Sequence, residues 1–213
     1  GLKYPTDVEC SIGTVFTKMW SADYYPEGCP PSSSVSLHFD ATEKNNGPIQ
    51  MTWSDGGIRP FHPDLLPADV SIEDNGVIMI GDKGVITCDA YGNDPKLYRK
   101  GEPVVMGEKV KVLEPEFGHQ RQWVDACKAG FNSAEHKSLT SSFDYSGPLT
   151  ETVLMGNIAI RSYMLTEEGA TGRRANYIGR KKLLWDGENM KIKNLDAANQ
   201  FVGRTYRKGW ELT

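Results

Sequence analysis

The densest grouping of recognition chemistry in the chain is "WSDGGIRP", where Trp53 is followed by Asp55, Gly56, Gly57 and Arg59. An indole can stack on the apolar face of a sugar ring, and a guanidinium can bind a hydroxyl or a carboxylate. Two consecutive glycines permit a tight backbone path at a strand end. The same residues also suit a turn held by an Asp55–Arg59 pair beside a buried Trp53, and both readings stay open. His119 follows "FG" at a predicted helix start. There the helix dipole disfavours the cation, so a neutral ring could meet a substrate hydroxyl or simply cap and pack. Asp144 precedes a second helix, where a negative charge is favourable without any function; contact with a substrate is the alternative. Tyr91, in "AYGNDP", ends a strand at a loop and completes the set of substrate-binding candidates.

Other chemistries find no support in the spacing. Dinucleotide binding needs a strand, a Gly-rich turn and a helix, so that backbone N–H groups approach the pyrophosphate. No stretch has that order. "GATGRR" (169–174) has Gly and Arg but no strand pattern before it, and reads as an exposed loop. There is no G-x-S-x-G nucleophile elbow. The four histidines, His38, His62, His119 and His136, are scattered, and "FHPD" sets His62 near Asp64 as any loop can. Four cysteines show no CxxC pair and no zinc spacing. Cys10, Cys88 and Cys127 sit among apolar neighbours and read as small core residues, with Cys29 the more exposed.

The elements that must position these residues can be traced from periodicity. "VECSIGTVFT" (8–17) reads as one strand. "SVSLHFDA" alternates Val35, Leu37 and Phe39 with Ser36, His38 and Asp40, a half-buried strand with one solvated or site-facing side. "KNNGP" turns it into "IQMTWS", so 33–54 reads as a hairpin. "GVIMIGDKGVITCDAYG" predicts a second hairpin about Asp82 and Lys83, and "EKVKVL" a short strand. From His119 the period becomes helical, with Trp123, Ala126 and Cys127 on one face and Gly130 as the stop. A helix with Pro148 in its first turn should bury Leu149, Val153, Ile160 and Met164. "RRANYIGRKK" reads as a solvated charged face. "KKLLWD" is a strand, and "NLDAANQFVGRTY" a last short helix with Asn194 as its N-cap. Strands in a run followed by helices predict the α+β class: an open, mainly antiparallel β-sheet with helices packed on one face.

The totals are those of an ordinary globular chain: 213 residues, 38% hydrophobic and 24% charged. A formal net charge of -4 argues against nucleic acid as a partner, because phosphate binding needs a surplus of Lys and Arg. No apolar run approaches a membrane span of roughly twenty residues. The chain opens on "GLKYPTDVEC" without Met, so an export signal is not assessable. Bacterial cytoplasm and periplasm both stay open as its location.

Six segments in order carry a resemblance: "MTWSDGGIRP", "GVIMIGDKGVITCDAYGNDPKL", "GHQRQWVDACKAG", "SSFDYSGPLTETVLMGNIAIR", "LLWDGENMKIKN" and "YRKGW". Each is weak alone. Together they resemble the C-terminal domain of Gfo/Idh/MocA-type oxidoreductases, the glucose–fructose oxidoreductase and inositol dehydrogenase family, and more narrowly a bacterial branch with many exported members. The resemblance covers nearly all of the chain. It implies that 1–213 is a single C-terminal substrate and oligomerisation domain, with the N-terminal Rossmann domain outside this chain. That half would bind NAD or NADP and carry a Glu-Lys-Pro lysine and a His with a nearby Asp; none of these motifs occurs in this sequence. This chain would bind no cofactor and have no catalytic residue of its own. It would contribute part of a sugar or cyclitol pocket and a homo-oligomer interface on the open sheet face. Two alternatives belong with this reading: a domain of an NAD-dependent glycoside-cleaving relative, and a non-catalytic carbohydrate-binding or assembly module built on exposed aromatics such as Trp20, Tyr24 and Tyr25.

Overall fold

The computed structural model describes residues 2–23, 28–107, 118–167 and 175–211. Contacts divide the chain into two compact units, Gly1–Ile58 with Phe143–Thr213, and Arg59–Ser142.

The first unit is built on a five-stranded antiparallel sheet. Its strands are β1 (Asp7–Ile12), β4 (Ser33–Phe39), β5 (Ile49–Ser54), β10 (Leu183–Asp186) and β11 (Lys191–Ile192), in the order β11-β10-β1-β4-β5. Register fixes which side chains share a face: Val8 stands opposite Leu37 and Leu183, Val35 opposite Trp53, and Trp185 opposite Ile192. The helix α3 (Phe143–Ser162) lies on this apolar side, with a 3-10 turn at Asp196–Phe201 beside it. Val8, Val35, Leu37, Phe39, Leu183, Trp185 and Ile192 from the sheet bury against Met155, Ile158 and Ala159 of α3 and Ala198 of the turn. Trp185 Nε1 donates to Glu151 Oε1 at 2.5 Å, and the Arg161 guanidinium lies over the Phe201 ring at 4.5 Å. The class is therefore α+β, an open antiparallel sheet with helical structure on one face.

A small hairpin branches from this sheet. The strand expected over 8–17 is broken, because Gly13 N–H bonds Ser32 and the Thr14 hydroxyl donates to the Asp23 carbonyl at 2.5 Å. Beyond the break, β2 (Val15–Lys18) pairs with β3 (Ser21–Asp23).

In the second unit β6 (Gly76–Ile80), β7 (Val85–Asp89), β8 (Lys96–Tyr98) and β9 (Val105–Met106) form an antiparallel sheet. The first two are the hairpin predicted about Asp82. Two helices follow, α1 (Gly118–Ala129) and α2 (Ala134–Lys137). Gly130 closes α1 at φ 91° with its N–H on the Ala126 carbonyl. The strand expected at "EKVKVL" and the "GATGRR" loop lie outside the described residues.

Four expectations are corrected. The helix α3 begins at Phe143, so Pro148 lies inside it rather than in its first turn. Its buried stripe is Met155, Ile158, Ala159 and Ser162, while Leu149 and Val153 are exposed. Its second half is apolar nearly all round, so contact with β1 and β4 selects the face. Asn194 caps no helix. Its side chain accepts from Leu184 N–H and donates to the Lys182 carbonyl at the start of β10, and Leu195 precedes the 3-10 turn. Of the α1 stripe only Ala126 is buried; Trp123 and Cys127 are exposed.

Candidate functional site

"WSDGG" folds as a latch on the start of β4. The Asp55 carboxylate accepts from Ser33 N–H at 2.6 Å, from the Ser33 hydroxyl at 2.9 Å and from Trp53 Nε1 at 2.9 Å. Asp55 N–H returns a bond to the Ser33 carbonyl at 3.0 Å. Partial desolvation works against the charged carboxylate, but the bonds from Trp53 and Ser33 outweigh it and lower the Asp55 pKa below the ordinary carboxylate value. Gly56 is required here: at φ 63° a Cβ would stand 2.1 Å from the Pro31 carbonyl. Trp53 is not buried beside this turn, since 63% of its surface stays exposed.

Arg59 does not hold that turn. It donates from Nη1 to the Ile72 carbonyl at 2.7 Å and pairs through Nη2 with Asp74, so it closes the loop between them. The Asp55–Arg59 turn, one of the two readings the sequence left open, gives way to two separate clasps, one in each unit. His119 places Nδ1 3.2 Å from the Thr140 hydroxyl, which also meets Gln122 at 3.0 Å; this ties α1 to the segment after α2. Tyr91 is almost fully exposed, with its backbone N–H on Asp89 in a turn. Asp144 is exposed in the first turn of α3. Among the described contacts, none of Trp53, Arg59, His119, Tyr91 and Asp144 bonds to another.

A different grouping emerges on the sheet face opposite α3. Alternation puts Asp7 and Glu9 of β1, Ser36 and His38 of β4, and Gln50 and Thr52 of β5 on that side. His38 Nδ1 lies 2.6 Å from Asp7 Oδ1, with Lys182 Nζ 3.6 Å from the same oxygen. Gln50 Nε2 donates to the Ser36 hydroxyl at 3.1 Å. An Nδ1–H turned to the Asp7 carboxylate leaves Nε2 as the ring's other polar atom. The pattern of β4 pointed His38 outward. Nothing local announced Asp7 as its partner, because the pair depends on register between strands 31 positions apart. This face is polar, in keeping with the solvated or site-facing side read from β4.

Other chemistry is limited. The four cysteines are free, and burial, helped by the Glu9 charge, pushes the Cys10 thiol up to about 12, which keeps it from acting as a nucleophile. Among the described residues no three His, Cys, Asp or Glu side chains are grouped to hold a metal. Nor is any described helix long and apolar enough to cross a membrane. No family model matches the chain, and no curated protein matches it.

Proposed function

We propose that this chain is the substrate-side, C-terminal half of an NAD(P)-dependent oxidoreductase of the Gfo/Idh/MocA type, acting on a sugar or cyclitol. One observation carries the reading. Three of the six resembling segments fall on elements of the first unit: "MTWSDGGIRP" covers the end of β5 and its latch, "SSFDYSGPLTETVLMGNIAIR" covers α3, and "LLWDGENMKIKN" covers β10 and β11. An open antiparallel sheet backed by helix on one side is the architecture that resemblance implies.

Among the described residues no strand and turn have the order that a dinucleotide fold needs. Every strand pair in its described sheets is antiparallel, whereas the dinucleotide fold needs parallel strands with a Gly-rich turn. No step through the cofactor is assigned to these residues, and the isolated chain is not catalytic in this reading. Its part is a wall of the polyol pocket, with Trp53 on the rim, and an assembly surface. The polar face bearing Asp7, Ser36, His38 and Gln50 is the assembly surface in this reading, through hydrogen bonds more than through apolar burial.

A non-catalytic carbohydrate-binding module is favoured by one specific feature. Phe16, Met19 and Trp20 are exposed together on the β2–β3 hairpin, and Trp20 is held at φ 63°. Product analysis separates the readings. The complete protein is incubated with a dinucleotide and a panel of sugars, cyclitols and glycosides. Net dinucleotide reduction supports the oxidoreductase. Aglycone release without net reduction supports a glycoside-cleaving relative. Sugar binding with no product supports the module.

A further inference from the structure

We infer that the free edge of β5 is an interface on which a second copy of this chain adds its own β5, joining two five-stranded sheets edge to edge. β5 ends the sheet order on one side and has β4 as its only strand neighbour among the described residues. Alternate residues of an antiparallel edge strand turn their N–H and C=O groups away from the sheet, where they template another strand. Proteins blunt such edges with charge, proline, bulges or short length. The opposite edge is blunted in this way: β11 is two residues long, and one of them is Lys191. β5 has none of these devices. It runs six residues, "IQMTWS", without charge, Pro or Gly, and its register against β4 is unbroken from Ile49 to Ser54. Every residue from Ile49 to Trp53 is exposed.

A second copy is the occupant because the strand complements itself. Ile49, Met51 and Trp53 stand opposite buried Phe39, Leu37 and Val35, on the apolar side of the sheet, yet stay 37%, 38% and 63% exposed. Residues opposite each other in antiparallel strands share a face, so a two-fold axis at Met51 fixes the pairs. Met51 meets the partner's Met51, Ile49 meets the partner's Trp53, and Gln50 meets the partner's Thr52. The first two lay apolar on apolar, one of them as an aromatic–β-branched pair, and the third sets an amide against a hydroxyl with no like charges opposed. Trp53 lies at the outer end of the pairing, which leaves the rim position proposed for it open. One strand pair buries less than the roughly 800 Å² per partner of a standard interface, so the dimer is a weak one, micromolar rather than nanomolar.

The pairing is independent of the oxidoreductase reading and of the polar face assigned to assembly above. Sedimentation of the 213-residue chain over about 1–200 µM, the range in which weak complexes form, tests it. Circular dichroism reports whether each variant is folded. The sedimenting mass should rise at least twofold over that range. Met51→Lys sets two like charges at the axis and should halve the mass reached at the top of the range, and Met51→Glu should do the same. An equimolar mixture of the two variants should restore it, because Lys then faces Glu. Amide hydrogen exchange along β5 should be slower at the top of the range than at the bottom. A mass that stays constant overturns the pairing, as does an oligomer that Met51→Lys leaves intact, which assembles elsewhere. Equal protection of the β5 amides at both ends of the range also overturns it, since the edge is then covered within one copy. If a variant fails to fold, the concentration dependence of β5 exchange in the unchanged chain still decides.

Discussion

His38 Nδ1 stands 2.6 Å from Asp7 Oδ1 across the β1–β4 register, on the side of the sheet that α3 leaves open. Asp7 is mostly covered and His38 about one-third exposed, with Lys182 also within reach of the carboxylate. A pair so placed lies between surface and buried cases. A double-mutant cycle of Asp7→Ala and His38→Ala should return a coupling of about 1 kcal/mol at neutral pH. Denaturant unfolding of the four proteins measures it. Full additivity would mean that the bond seen between these rings and oxygens contributes nothing to stability.

The latch at Asp55 makes a contrasting prediction. Asp55→Ala strands the Ser33 N–H and hydroxyl and should cost about 1–3 kcal/mol. Arg59→Ala breaks an exposed contact and should cost less, about 0–1 kcal/mol. Their partners are different, so the double mutant should be additive within about 0.5 kcal/mol. A large coupling would restore the direct Asp55–Arg59 turn that the sequence allowed.

Asp55 also predicts a pH dependence. Its folded pKa is depressed, so its contribution is fully present above the unfolded value of about 3.9 and is lost as pH falls through the lower folded value. Asp55→Asn should flatten the stability curve within that acidic window and leave its shape above it unchanged. Melting temperatures of the two proteins across the window provide the check.

The orientation of α3 is testable by truncation. Met155→Ala removes a side chain that is 1% exposed against β1 and β4, and should cost about 2–5 kcal/mol. Leu149→Ala and Val153→Ala, both on the exposed side, should stay within about 0.5 kcal/mol in this chain. The reverse ranking would place the helix on its other face.

These corrections show which features sequence could carry. Alternation of Val35, Leu37 and Phe39 revealed β4 and its buried side, because a strand's period of two is local. The hairpins at 33–54 and about Asp82 were legible from turn composition for the same reason. The buried face of α3 was not, since a helix apolar on several sides has its stripe chosen by the sheet it meets. The candidate residues fared similarly. Asp55 beside Trp53 was visible, but its true partner Ser33 and the separate Arg59–Asp74 contact are set by tertiary approach. His38 was read as one of four scattered histidines until register brought Asp7 to it.

The central claim, that this chain is the substrate side of a polyol oxidoreductase, is tested most directly by isotope transfer. The complete protein is incubated with oxidised dinucleotide and a sugar or cyclitol deuterated at its carbinol carbons, and the dinucleotide is weighed by mass spectrometry. The account predicts one deuterium gained per dinucleotide reduced, and none when this 213-residue chain is used alone. A dinucleotide that stays oxidised and unlabelled with the complete protein across the panel of polyols would contradict it.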